Sequence, residues 1–145
     1  MQLGPLPSLP VLIVNSSPDE SGEMNTLLGR IGLQPQFTST CQKALGLIHH
    51  HTFPVVLSSD TLPDGDWKTL LQALEGTPEH PELIVFSRQA EESLWYEVLQ
   101  LGGFDVLAAP FDEAELVRVI TLAHTFWQRK HRGAGRAHRV MRAAS

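Results

Sequence analysis

Asp60 sets a carboxylate directly after the run Val55-Val56-Leu57-Ser58-Ser59, and Asn15, Ser16 and Ser17 follow Val11-Leu12-Ile13-Val14. Ser87 closes a third run, Leu83-Ile84-Val85-Phe86. A serine becomes a nucleophile when a neighbouring base takes its proton. The sequence places no activating base for Ser59, and Ser16, Ser59 and Ser87 read as polar residues at a pocket rim. His49-His50-His51 suggests a metal, but consecutive helical residues do not converge on one ion. At a helix C-terminus three histidines suit the macrodipole. Cys41 opens a helical stretch, which can lower a thiol pKa; a buried structural cysteine is the simpler reading. Asp19 and Glu20 fall in a first helical turn, where the macrodipole accounts for them. The chain offers no triad, no glycine-rich phosphate loop and no metal set, so it is expected to bind rather than catalyse. A small enzyme or ligand binder is the remaining alternative.

These residues are positioned by alternating elements. Val11 to Val14 is apolar without alternation, as in a strand buried on both faces of a parallel sheet. Pro18 suits a first helical turn, and Met24, Leu27, Leu28 and Ile31 recur at helical spacing up to Gly32. Gln36 to Ser39 reads as an edge strand, and Cys41 to about His51 as a helix with Ala44, Leu45 and Ile48 inward. The strand at 55–59 leads through Pro63-Asp64-Gly65-Asp66 to a helix marked by Leu70, Leu71 and Leu74. After the strand at 83–87, Ala90, Leu94, Val98 and Leu101 mark a fourth helix that Gly102-Gly103 ends. Phe104 to Ala108 is the last strand. Leu116, Val119, Ile120, Ala123 and Phe126 mark the last helix. Alternation of this kind implies right-handed crossovers and a parallel sheet covered on both faces. The expected fold is an α/β domain of five strands and five helices over residues 10–132. Residues 1–9 read as a flexible leader and 133–145 as a basic flexible tail.

The order of elements and three loop motifs resemble the receiver domain of two-component response regulators over roughly residues 10–128. Pro63-Asp64-Gly65-Asp66 stands where the family has its Pro-Asp-x-Asp-Gly turn, Ser87 at its Ser/Thr position, and Ala109-Pro110-Phe111-Asp112 at its Lys-Pro-Phe-Asp. The resemblance implies a flavodoxin-like doubly wound (βα)5 fold with strand order 2-1-3-4-5. It also implies a self-phosphorylating site that holds Mg²⁺ on an acidic pair, accepts a phosphoryl group on an aspartate and pairs it with a lysine. Counted by motif, the acidic pair falls on Asn15 and Ser16, the acceptor on Ser59, the lysine on Ala109 and the aromatic switch on Val106. The charged groups fail together and only Ser87 remains. An amide and a hydroxyl do not replace two carboxylates as Mg²⁺ ligands, and alanine offers no cation to a phosphoryl oxygen. The expectation is a degenerate pseudo-receiver without Mg²⁺, signalling by phosphorylation-independent protein–protein interaction. The alternative is a receiver that a histidine kinase phosphorylates on Asp60. Asp60 lies one residue past the acceptor position, and the two-residue strand period aims it to the other face unless a bulge re-aims it.

Two neighbouring aromatic pairs mark a surface. Trp95 and Tyr96 in the fourth helix, and Phe126 and Trp127 in the fifth, cannot all face one core. Exposed aromatics signal an interface, and the family often dimerises through this face. A homodimer, or a partner, on helices four and five is therefore expected. Trp67, where the family has glycine, either covers the old site or packs ordinarily under the third helix.

The 145 residues carry a formal charge of −5, with 42% hydrophobic residues. That composition excludes disorder. Six of the eleven Lys/Arg lie between Arg129 and Arg142, and no carboxylate lies beyond residue 128. A basic tail thus follows an acidic body. It lacks interleaved aromatics, so nucleic acid is not the expected partner. One cysteine, no signal peptide and no spanning segment lead to a cytoplasmic, non-membrane expectation.

Overall fold

The computed structural model describes residues 9–144, and of 133–144 it gives only that the last helix runs through them. The basic tail expected at 133–145 and leader residues 1–8 lie outside the residues described with side chains. Leu9, assigned to the leader from sequence, is instead buried in the core.

Five strands form one parallel sheet: β1 (Val11–Val14), β2 (Gln36–Thr38), β3 (Val55–Ser59), β6 (Glu82–Ser87) and β7 (Asp105–Ala108). Their order is β2-β1-β3-β6-β7, which is the expected 2-1-3-4-5. The helices are α1 (Pro18–Arg30), α2 (Cys41–His50), α3 (Trp67–Glu75), α4 (Glu92–Leu101) and α5 (Glu113–Ala144). Two short strands that periodicity does not reveal, β4 (Thr61–Leu62) and β5 (Gly65–Asp66), pair antiparallel between β3 and α3.

The central strands are apolar on both faces because each face is covered. On one side Leu12, Val56 and Val85 meet α2, α3 and α4; on the other Ile13, Leu57 and Phe86 meet α1 and α5. Gln36 is exposed on the edge strand β2.

Two helices depart from the expected packing. In α4 only Val98 is buried; Leu94 is partly covered, Leu101 is exposed and Ala90 precedes the helix. Gly102, at φ 107°, stops the helix in a left-handed cap. Gly103 then passes so close that an added Cβ would lie 2.5 Å from a Val98 methyl. In α5, Leu116, Val119, Ile120 and Ala123 are buried as expected, but Phe126 is half-exposed, its ring 5.8 Å from that of Phe104.

Trp67 is buried among Leu70, Leu71 and Leu74, so it packs under α3 rather than covering the sheet end. Asp64 reaches back to α2. Its carboxylate accepts from Cys41 N–H at 2.9 Å and Gln42 N–H at 3.0 Å, capping that helix from 22 and 23 residues away. These two bonds hold the Asp64 carboxyl below its ordinary 3.8. A depressed carboxyl stabilises the fold above its unfolded pKa, and the contribution is lost as pH falls through the folded value. Asp64→Ala should therefore lower the melting temperature at neutral pH. In thermal melts, the gap to the wild type should close as pH drops below 3.8. A gap independent of pH would show that the charged cap is not the source.

Candidate functional site

The carboxyl ends of β1, β3 and β6 open into a cavity of about 480 Å³ lined by Asn15, Ser16, Ser59, Asp60, Ser87 and Arg88, with Ser17, Glu20, Thr61 and Gln89 beside them. This is the position at which open parallel sheets hold their sites. The structure thus gathers Asn15, Ser16, Ser59, Asp60 and Ser87 in one pocket. Ala109 is not among its lining residues; it follows β7, its N–H bonds Ser87 O at 3.0 Å, and the Ala109–Pro110 peptide is cis.

Asn15 is buried but turned to its own loop. Its amide donates to Ser17 O at 3.1 Å and Ser21 Oγ at 3.3 Å, and its carbonyl accepts from Ser17 N–H. Ser16 is exposed. Ser17, just ahead of Pro18, caps α1 by accepting from Glu20 N–H.

Asp60 does not point away, as the strand period led one to expect. β3 ends at Ser59. Asp60 N–H still bonds Phe86 O at 3.1 Å, while its own carbonyl accepts from Trp67 N–H, so the chain turns there into the β4–β5 hairpin. A two-residue period holds only within a pleat. Once the pleat ends the carboxylate comes round to the pocket, where it accepts from Ser87 Oγ at 3.1 Å and Ser59 Oγ at 3.5 Å.

Glu20 and Arg88 form the second charged feature. Arg88 Nε donates to Glu20 Oε2 at 2.8 Å across 68 residues of sequence. The macrodipole accounts for Asp19, which is exposed, but not for Glu20, which is buried against this guanidinium. The bond to Glu20, and then its charge, raise the Arg88 pKa above its ordinary value. No periodicity carries this pair. The one available signal was that Arg88 follows Ser87 directly.

The remaining candidates lie elsewhere. Val106 is buried in β7 against the α2, α3 and α4 layer. Burial, and then the Asp64 charge, push the Cys41 thiol up, so its helix start does not activate it. His49, His50 and His51 are exposed, and among the described residues no three His, Cys, Asp or Glu side chains converge as a metal set. Trp95 is half-exposed and donates from Nε1 to Asp105 at 3.0 Å; Tyr96 is exposed. Phe126 is the exposed member of its pair, while Trp127 is partly buried: its Nε1 donates to Glu79 O at 2.8 Å and its ring stacks on His131 at 4.0 Å. No described helix is long and apolar enough to cross a membrane.

Comparison with known proteins fits this geometry. The solved structure of a response regulator from Chloroflexus aurantiacus J-10-fl superposes with a TM-score of 0.76 at 21% identity, covering 81% of this chain and 98% of that one. The signal receiver domain of an HD domain-containing protein from Pseudomonas fluorescens Pf-5 gives 0.77 at 21% identity, over 86% and 92%. The receiver domain of the sensor histidine kinase PA1611 from Pseudomonas aeruginosa PAO1, with a magnesium ion in its active-site cleft, gives 0.73 at 20% identity, over 81% and 98%. No curated protein sequence matches the chain significantly. The family model for the response regulator receiver domain matches residues 11–121, most of the chain, which therefore belongs to that family of two-component signalling.

Proposed function

We propose that this receiver domain is a pseudo-receiver, an interaction module whose output does not depend on phosphorylation. The observation that carries the reading is the charge content of the pocket. Asn15, Ser16, Ser59 and Ala109 stand at the family's two acidic positions, its acceptor and its lysine. Glu20 spends its carboxylate on Arg88. Among the lining residues this leaves Asp60 alone as a carboxylate without a bound cation. Mg²⁺ demands several hard oxygens in octahedral array, and the Asn15 side chain is turned to its own loop. The donor set does not fit the ion that the Pseudomonas aeruginosa domain holds, and no phosphoryl-transfer step is derived through it. The occupant of the interaction face is a second copy of the chain, docked on α4, β7 and α5. Neither nucleic acid nor membrane is part of the proposal, and a buried reduced Cys41 suits a cytoplasmic setting.

A second reading is favoured by one observation, the Asp60 carboxylate facing the pocket beside Ser87. In that reading a histidine kinase supplies a phosphoryl group to Asp60. Incubation with Mg²⁺ and acetyl phosphate, followed by intact mass measurement, separates the two. The pseudo-receiver leaves the mass unchanged. A hydroxylamine-labile adduct that disappears in Asp60→Asn establishes the second reading and overturns the first.

A further inference from the structure

Ser87, the last residue of β6, and Arg88 after it are held by side chains that arrive from elsewhere, and Ser87 in turn holds Gln89. Asp60, at the end of β3, accepts from Ser87 Oγ at 3.1 Å, and the same Ser87 oxygen accepts from Gln89 N–H at 3.0 Å. Between them, Arg88 is drawn to Glu20 of α1 at 2.8 Å. The Glu20 side chain is 11% exposed and that of Arg88 70%, so the carboxylate is the fixed member and the guanidinium reaches in to it. Hydrogen bonds with one charged partner are shorter and stronger than neutral ones.

Further along, α4 is held by Val98, by Trp95 Nε1 on Asp105 at 3.0 Å and by Lys68 Nζ on Glu97 Oε2 at 2.8 Å, whereas Glu91, Glu92 and Ser93 at its start are exposed. Its N-cap, Glu91, makes no side-chain capping bond, and Val98 is its one buried residue. Trp95, Tyr96 and Leu99 are exposed on it. The start of α4 therefore follows how residues 87–89 are set.

We propose that Asp60 and Glu20 are positioning residues that pin the Ser87–Gln89 turn, and through it α4, in a single arrangement that requires no signal at the pocket. Asp60 is then a resident anion, supplied by the chain to Ser87 rather than added to it. This inference rests on the reading of α4 as part of the interaction face, and it names what presets that face.

Hydrogen exchange on the full chain tests it. Asp60→Ala and Glu20→Ala are each expected to speed exchange of amides 88–101 by about tenfold, the scale of one charged hydrogen bond lost to local opening. Strand amides at 11–14 and 83–86 should keep their protection. Should Asp60→Ala fail to fold, Ser87→Ala removes the same bond from the other side. In parallel, sedimentation of the wild type and variants reads self-association, which loosening of α4 should weaken. Unchanged exchange at 88–101 in Asp60→Ala (or Ser87→Ala) and Glu20→Ala overturns the pin. Faster exchange with a wild type that stays monomeric keeps the pin and overturns the docking of a second copy.

Discussion

Phe86→Ala is expected to destabilise the domain by about 3–5 kcal/mol, the usual cost of truncating a buried phenylalanine. The side chain is fully buried in the layer beneath α1 and α5, and its ring meets Phe111 edge-on at 5.6 Å and 85°. No neighbouring backbone can collapse into the space, because Phe86 sits between paired strands with Asp60 N–H on its carbonyl. Against a typical total of roughly 5–15 kcal/mol this is a large fraction. The melting temperature should fall on the order of 10–20 °C. Phe86→Leu keeps most of the volume and should lose much less. A double-mutant cycle with Phe111→Ala should return a coupling of about 0.5–1.5 kcal/mol for the ring pair. A urea melt in which Phe86→Ala costs under about 1 kcal/mol would contradict the placement of this ring in a rigid core. The position matters beyond stability. Phe86 carries Ser87 next in the chain and braces the loop that follows the cis Ala109–Pro110 peptide, so it ties the pocket wall to the core.

The sheet was legible because β1, β3 and β6 are buried on both faces, and burial of that kind writes unbroken apolar runs into the sequence. The hairpin at 61–66 was not, since two-residue strands leave no period. α4 misled for a physical reason: helical spacing assumes a core beneath the helix, yet Val98 alone is fully covered, Leu94 is partly so and Leu101 faces solvent. The pocket was half legible. Asn15, Ser16, Ser59 and Ser87 could be placed because they end strands. Asp60 could not be aimed, since its direction is decided by where the pleat stops. The Glu20–Arg88 bridge and the Asp64 cap join residues 68 and 22 apart, and only the assembled fold brings such partners together. Phe126 and Trp127, paired in sequence, part company in the structure. One lies half-exposed beside Phe104 and the other is tied to Glu79.

That separation narrows the surface proposed for a second copy, and substitution there should have the larger effect on assembly. Tyr96 is 69% exposed and Leu99 51%, on a helix that gives one residue to its own core. The Trp95–Asp105 bond joins α4 to β7, and the contact of Phe104 with Phe126 carries the apolar surface on to α5. A two-fold interface uses the same patch of both copies, so each substitution counts twice. Central aromatic anchors typically cost 2 kcal/mol or more when removed. Tyr96→Asp with Leu99→Asp should therefore weaken self-association by at least about thirtyfold. Both side chains are exposed in the single copy, so the melting temperature of the dilute protein should stay within a few degrees of the wild type. Trp127→Phe, which removes the bond to Glu79 O away from this face, should leave association unchanged. Sedimentation equilibrium across a wide concentration range reads all three. A wild type that remains monomeric at the highest concentration excludes the second copy as the occupant. A dimer indifferent to Tyr96→Asp with Leu99→Asp moves the interface off α4.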